Sequence, residues 1–263
     1  MISFDVADFQ HRRKGSFGSE LYYYGEIDST NRAAEKLTQQ TFREGMAVVA
    51  NSQTSGRGRN NSQWFSPEGE NLYCTLLLKP EAVHLHRIPF IAGLAIANAL
   101  SVLELKVDLK WPNDILVGDR KIGGILIQSA MEGGIVKYAA AGFGINVNTV
   151  EFPPALKETA TSIAIEKGQR EAREPLLALV LLEFEKLYVR MNEVLWENFC
   201  HELEKRSSYL QECEITIQTP EGVTEGVTAG LDEYGGLIVK TPGGQSVFYS
   251  GEVQACRKKQ ILC

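Results

Sequence analysis

The chain has 263 residues, 44% of them hydrophobic and 23% charged, a balance that excludes a disordered protein and allows a substantial core. Lys and Arg number 27 against 33 Asp and Glu, a net charge of -6, which argues against bulk nucleic-acid binding but leaves room for a local basic cluster. The opening MISFDVADFQHRRKGSFGSE lacks the apolar core of a signal peptide, and the longest apolar segment, IPFIAGLAIANAL, is too short and interrupted to span a membrane, so a cytoplasmic protein is expected.

In chain order, YYGEI reads as an aromatic strand, followed by a helix whose Ala33, Ala34 and Leu37 recur at helical spacing and whose N-cap is Asp28 or Ser29. GMAVVANSQ and NLYCTLLLKP are short strands with Gly-Arg-Gly-Arg between them, and RIPFIAGLAIANALSVLEL is a long apolar helix opened by a proline. KVDLKWPND, ILVGDRKIGGILIQSAM and GIVKYAAAGFGINVN read as three successive strands. Turns at Gly118-Asp119 and Gly133-Gly134 fit hairpins, so this part of the sheet should be antiparallel. EPLLALVLLEFEKLYVRM and EVLWENFCHELEKRS are amphipathic helices. From residue 212 the texture changes to short β-branched runs broken by Pro-Glu-Gly, Tyr-Gly-Gly and Pro-Gly-Gly, the pattern of a small all-β barrel. The expected division is therefore 1–210 and 211–263, with an α+β first domain and no internal repeat.

Five cysteines (Cys74, Cys200, Cys213, Cys256, Cys263) are scattered without a Cys-x-x-Cys pair. The four histidines form no ligand pattern with them. Reduced, structurally silent thiols and no tightly held structural metal are expected, and His84 and His86 read as a solvated loop.

Three constellations carry chemistry. In NSQTSGRGRNNSQW, Gly56 and Gly58 relieve the backbone while Arg57 and Arg59 add cationic forks, so the loop can wrap an anion. In KWPNDILVGDRKIGGILIQS, Pro112 forces an extended or turn geometry on Trp111, and Asn113 and Asp114 sit where the strand leaves the sheet. Asp114 can hold Mg²⁺ or a hydroxyl, Lys121 returns to the same place across one hairpin, and Gly123-Gly124 lets a ligand lie against the strand. In AGFGINVN, Gly142 and Gly144 flank Phe143, with Asn146 and Asn148 on one face of a strand. Each constellation alone also fits a solvated loop, a plain hairpin or a packed strand. Together they suit a nucleotide phosphate beside a flat small molecule.

In order along the chain stand Ser29-Thr30-Asn31, Gly56 to Arg59 with Trp64, Lys110 to Asp114, Lys121 to Leu126, and Gly142 to Asn146. This set resembles the biotin–protein ligases, over about residues 20 to 255. One departure is the stretch RNNSQW, where many bacterial members have Gly and Arg in place of Asn61 and Ser62, which weakens the expected hold on the intermediate. The chain also has too few residues ahead of its first strand for the DNA-binding domain of two-function members, so the resemblance implies a monofunctional type that binds no DNA and no membrane.

The resemblance further implies a class II synthetase-like catalytic domain with a mixed, largely antiparallel sheet packed with helices, plus an SH3-like C-terminal barrel. It implies ATP-dependent activation of biotin as biotinyl-5′-AMP, then transfer to a lysine of a biotin carboxyl carrier protein or domain, with Mg²⁺. By carry-over Ser29, Thr30, Gln53, Gly56, Arg57, Lys121 and Gly124 hold biotin. Arg57, Arg59, Trp64, Asn113 and Asn146 lie by ATP or the adenylate. Lys121, Arg59 and Asp114 are catalytic, with Asp114 the carboxylate for Mg²⁺. The loops Arg57–Trp64 and Phe152–Thr161 are expected to close over the reactive anhydride, and the protein to be a monomer or homodimer. A lipoate–protein ligase or octanoyltransferase, a biotin-dependent sensor without turnover, and an inactive homologue are the rivals; the paired arginines, Lys-Trp-Pro-Asn-Asp and the C-terminal strands favour biotin ligation.

Overall fold

The computed structural model describes residues 3–257, without the side chains of Asn61 and of 255–257. Cys263 and the Cys256 side chain therefore lie outside the described residues, while Cys74 and Cys200 are free thiols as expected.

A short helix, α1 (Val6–Arg12), precedes β1 (Leu21–Ile27), α2 (Thr30–Thr38) and β2 (Ala47–Gln53). β1 and β2 pair in parallel, which requires a crossover, and α2 supplies it. All later pairings are antiparallel: β2 with β3 (Leu72–Leu78), β3 with β7 (Ile135–Ile145), β7 with β6 (Arg120–Glu132), β6 with β5 (Asp114–Val117), and β5 with β4 (Val107–Lys110). The result is a mixed, largely antiparallel sheet of seven strands in the order β1-β2-β3-β7-β6-β5-β4.

Every residue of β3 is buried, which explains why LYCTLLL runs apolar without alternation: both faces of the strand are covered. On one side α3 (Ile88–Val102) and α5 (Arg173–Arg190) pack together, with α1 on α5. On the other, Ala33, Ala34 and Leu37 of α2 meet Val48, Leu77 and Ala140. α3 is apolar on nearly all sides because it lies between the sheet and α5. The helical stretch Ala82–Val102 does reach the length and apolarity of a membrane span, contrary to expectation, but Ile88, Ile91, Ala95, Ile96 and Ala99 are fully buried in the core.

α4 (Ile163–Lys167) and α6 (Trp196–Glu204) lead towards the C-terminal strands β8 (Gln211–Thr219), β9 (Gly222–Leu231), β10 (Leu237–Thr241), β11 (Gly244–Phe248) and β12 (Glu252–Arg257). These form an antiparallel sheet in the order β11-β10-β9-β8-β12. Its buried Ile215, Ile217, Leu237 and Val253 belong to the same core cluster as Trp111 and Leu109. Two indoles fasten the contact: Trp111 Nε1 donates to Gly235 O at 3.1 Å, and Trp196 Nε1 to Asp232 O at 3.2 Å.

Four local readings change. The helix α1 is unexpected: it buries only Phe9, so no apolar periodicity marks it, although Asp5 caps it by accepting from Asp8 N. ILVGDRKIGGILIQSAM is two strands, β5 and β6, rather than one, joined at the expected Gly118-Asp119 turn, where the Gly118 φ of +60° suits glycine. Asn146 and Asn148 lie beyond the end of β7 rather than on one strand face. His84 and His86 are only partly exposed. They sit in a 3-10 turn, with the half-buried His86 ring 6.0 Å from Trp196 and 5.6 Å from Tyr234. Those aromatic partners are distant in sequence, so the local pattern carried no sign of them.

Candidate active site

An open cavity of about 570 Å³ lies over β6 and β7, where Gly124, Gly142 and Gly144 give the strands a floor without side chains. The Trp64 ring lies across this floor: a Cβ on Gly144 would fall 2.4 Å from Trp64 Nε1, and one on Gly124 3.1 Å from the ring. Trp64 Nε1 is buried without a hydrogen-bond partner. At Gly142 a Cβ would fall 2.0 Å from Asn31 Oδ1, so glycine is needed there for α2 to approach the sheet.

One end of the cavity is neutral and polar. Ser29 occupies the N-cap of α2, as its position before an apolar-periodic run suggested, but its hydroxyl makes no capping bond. It is buried and lines the cavity, with a hydroxyl not spent on the helix. Thr30 N donates to Gln53 Oε1 at 2.9 Å, and Gln53 Nε2 to Ser66 Oγ at 3.1 Å, so α2 and β2 hold this end together.

The opposite end is charged. Arg57 and Arg59 come from the loop after β2, which closes on itself through Gly58 N to Ser62 O (2.8 Å), Ser62 N to Arg59 O (3.0 Å) and Ser62 Oγ to Arg59 O (2.8 Å). Arg57 is exposed. Arg59 is half-buried and donates to Gly251 O at 3.3 Å. Burial lowers the Arg59 pKa, against the opposing pull of the Asp114 and Glu252 carboxylates; an arginine nevertheless stays charged. Lys121 Nζ stands 2.5 Å from Asp114 Oδ1 and 5.5 Å from the Trp64 ring centroid. The hairpin joining β5 to β6 brings Asp114 opposite Gly124, which is why a lysine seven residues further on meets this carboxylate.

The Lys121 backbone is clamped. Its N–H donates to Thr159 O at 2.7 Å, and its carbonyl accepts from Thr161 N at 3.0 Å. Asn146 Nδ2 donates to Thr161 O (3.0 Å) and Lys121 O (3.4 Å), so this asparagine ties the 152–161 segment to β6. Phe152, Leu156, Thr159 and Ala160 of that segment form one wall, and the Phe152 ring meets Phe65 at 6.2 Å.

Ser29, Thr30, Gln53, Arg57, Arg59, Trp64, Asn113, Asp114, Lys121, Gly124 and Asn146 thus all line one cavity. Gly56 does not line it. It packs beneath the loop, where a Cβ would meet Ser66 Oγ at 2.7 Å and Trp64 O at 3.0 Å. Asn113 Nδ2 donates to Ile125 O at 2.7 Å, fixing the start of β5 against β6. Asn148 is consumed by Glu171, giving Nδ2 to its carbonyl and accepting its N–H, each at 2.9 Å. Sequence reasoning missed Gly251, Glu252 and Val253, which close the cavity from β12 and the turn before it, because nothing in GEV marks a site.

No group of three or more His, Cys, Asp or Glu that could hold a metal occurs among the described residues. A Mg²⁺ ion here would take one carboxylate oxygen at most from Asp114, already paired with Lys121, and the rest from substrate phosphates and water.

Residues 24–146 match the biotin/lipoate A/B protein ligase family, and 213–255 match the biotin protein ligase C-terminal domain. The chain is 32% identical to the biotin–[acetyl-CoA-carboxylase] ligase of Paracoccus denitrificans over 86% of its own length and 96% of that protein. It is also 32% identical to the bifunctional ligase/repressor BirA of Bacillus subtilis, over 90% of this chain and 74% of that one. Among solved structures, the biotin protein ligase from Aquifex aeolicus in complex with biotin and ATP superposes with a TM-score of 0.79 at 32% identity, covering 92% of this chain and 100% of that one. A neutral hydrogen-bonding end, a cationic end and a glycine floor between them, together with these likenesses over both sheets, make the chain a member of the biotin protein ligase family.

Proposed function

We propose that the cavity is where the two substrates of this ATP-dependent biotin–protein ligase meet, with biotin's ring at the neutral end and the phosphates of ATP at the cationic end. The enzyme activates biotin as biotinyl-5′-AMP with release of pyrophosphate, then transfers it to a lysine of a carboxylase's biotin carrier. The observation that carries the site assignment is that Ser29, Thr30 and Gln53 share one cavity with Arg57, Arg59 and Lys121.

In the first step a biotin carboxylate oxygen attacks the α-phosphorus and pyrophosphate leaves. Two anions must approach, so the step needs fixed cations in a site partly shielded from water. Lys121, clamped by its own backbone and beside the floor at Gly124, balances the carboxylate and the charge growing on the phosphate oxygens. Arg59 faces the phosphates from the loop, and Arg57 adds a second cation. Asp114 keeps Lys121 oriented until substrate takes its place. The Trp64 ring, packed on the glycine floor, gives the ligand one flat face, and the 152–161 wall limits hydrolysis of the anhydride.

In the second step the carrier's lysine amine attacks the anhydride carbonyl, forming an amide and expelling AMP. The partner is a biotin carboxyl carrier protein or domain. The division at residues 210 and 211 gives the C-terminal strands the cavity's far wall, so cutting after Tyr209 raises the KM for ATP and slows transfer, while biotin binding partly survives. Full-rate transfer by a soluble truncated protein would reduce these strands to an appendage. The overall reading is tested by incubating the protein with ATP, a carrier domain and either biotin or lipoate, with mass spectrometry of the carrier. Biotin incorporation that needs ATP supports it; incorporation of lipoate instead overturns it.

A further inference from the structure

Across the sheet, the parts of the cavity follow the strand order. Ser29, Thr30 and Gln53 stand at the β2 side, the glycine floor lies on β7 and β6, and Lys121 and Asp114 follow on β6 and β5. The edge strand β4 comes last, and it carries a further cavity-lining cation, Lys110. Lys110 pairs with Asp114 across the β4–β5 hairpin, and residues directly opposite on antiparallel strands put their side chains on one face. The Asp114 carboxylate therefore sits between two lysines, and Lys121 holds it at 2.5 Å.

Lys110 is left without an acid. Asp108, two residues earlier on the same strand face, accepts from Ser208 N at 2.8 Å and from Ser208 Oγ. The Glu252 carboxylate, also on the cavity wall, acts on Arg59. Among the described residues Lys110 forms no ion pair. Its Nζ lies 5.7 Å from the ring centroid of Tyr209, which is buried and lines the same cavity. A ring face steers an ammonium group without neutralising it. The Lys110 charge is therefore aimed and uncompensated at the β4 end of the cavity.

Displacement at phosphorus sets the attacking and leaving oxygens in line, on opposite sides. Biotin's carboxylate reaches the α-phosphorus from the head side, so the leaving oxygen points the other way, towards β5 and β4. We propose that Lys110 is a further catalytic residue, which receives the β- and γ-phosphates of ATP and the charge that grows on them as pyrophosphate leaves. The inference rests on the reading that biotin's ring lies at the Ser29–Gln53 end. As the carboxylate oxygen bonds to the α-phosphorus, the bond from that phosphorus to the bridging oxygen breaks. Its electron pair departs on pyrophosphate. Lys121 balances charge on the entering side and Lys110 on the departing side. The carrier's lysine attacks after pyrophosphate has gone, so that second step does not need Lys110.

The test separates the two half-reactions in the full-length protein. Lys110→Met removes the charge and keeps an unbranched stem beside the Tyr209 ring. With biotin and ATP it should release pyrophosphate about tenfold more slowly, and added pyrophosphate should inhibit it about tenfold less than the wild type, the weight of one charge-assisted bond. Transfer from preformed biotinyl-5′-AMP to a carrier domain should run at close to the wild-type rate. Lys110→Arg, which keeps the cation, should regain most of the inhibition by pyrophosphate. Undiminished inhibition of Lys110→Met overturns the proposal. Equal slowing of both half-reactions also overturns it, because Lys110 would then hold the site together rather than meet the leaving group. If Lys121→Ala slows pyrophosphate release while Lys110→Met changes neither rate nor inhibition, the reading of the cavity stands and this inference falls. If the wild type releases no pyrophosphate from biotin and ATP, the reading itself fails, and the inference with it.

Discussion

At the head end of the cavity, Ser29, Thr30 and Gln53 sit at the start of α2 and the end of β2, bound into neighbours that are themselves buried. At the other end Arg57 and Arg59 ride on a loop, and Lys121 keeps about a third of its side chain exposed. The difference follows from what each end must do. A neutral ring is recognised by matched donors and acceptors, which discriminate only when they are fixed and dry. ATP, a polyanion, must enter, and pyrophosphate and AMP must leave, so the cations that receive them need solvent access and a movable mount. Binding energy should therefore concentrate at the first end and rate at the second.

The strongest way to break that contrast is Lys121→Ala. Removing a cation aimed at developing negative charge should slow pyrophosphate release by about 10²–10³-fold, or ~3–4 kcal/mol, with the melting temperature nearly unchanged. A wild-type rate would show that Lys121 does not face the reacting atoms. Next, Gln53→Ala removes an amide bonded to Thr30 N and Ser66 Oγ. It should raise the KM for biotin by about tenfold or more, as expected for buried partners left unpaired. An unchanged KM would move the head group elsewhere.

Trp111→Phe sharpens the comparison by testing the contact between the two sheets. It deletes the indole donor to Gly235 O, and should lower stability by about 1–3 kcal/mol in denaturant unfolding, leaving the KM for biotin as it was. A rise in that KM would mean the C-terminal sheet reaches the head end. The smallest effect is on hydrogen exchange. The loop 55–63 should exchange more slowly with biotin and ATP present, because the repulsion between Arg57 and Arg59 ends when an anion joins them. Equal exchange in both states would make the loop a rigid, preformed element.

Sequence made the strands with turn glycines legible, since Gly118 and Gly133-Gly134 announce their hairpins, and it made the clustered motifs legible because each pairs a glycine with a polar tip. What it could not convey was the destination of each side chain. Trp111 stands in the most recognisable motif, yet its indole nitrogen reaches Gly235, 124 positions away in the chain. Asn146 looks like a ligand contact, and its amide nitrogen holds the backbone of Lys121 and Thr161. Thr75 sits in an apolar run and reads as a filler of the core. Its hydroxyl lies 2.6 Å from Asn31 Oδ1 and 2.9 Å from Thr30 Oγ1, which joins β3 to α2. Glu252 lines the cavity from a strand without any motif. Local pattern fixes elements, while hydrogen-bond partners distant in sequence are settled by packing.

The division of labour is tested most directly by pairing two measurements on two variants: biotin affinity by calorimetry, and single-turnover pyrophosphate release at saturating biotin and ATP. Lys121→Ala should retain biotin affinity within about tenfold while losing the chemical step, and Gln53→Ala should lose affinity while turning over at close to the wild-type rate once saturated. Parallel losses of affinity and rate in both variants would contradict the account, because recognition and chemistry would then not be separated along the cavity.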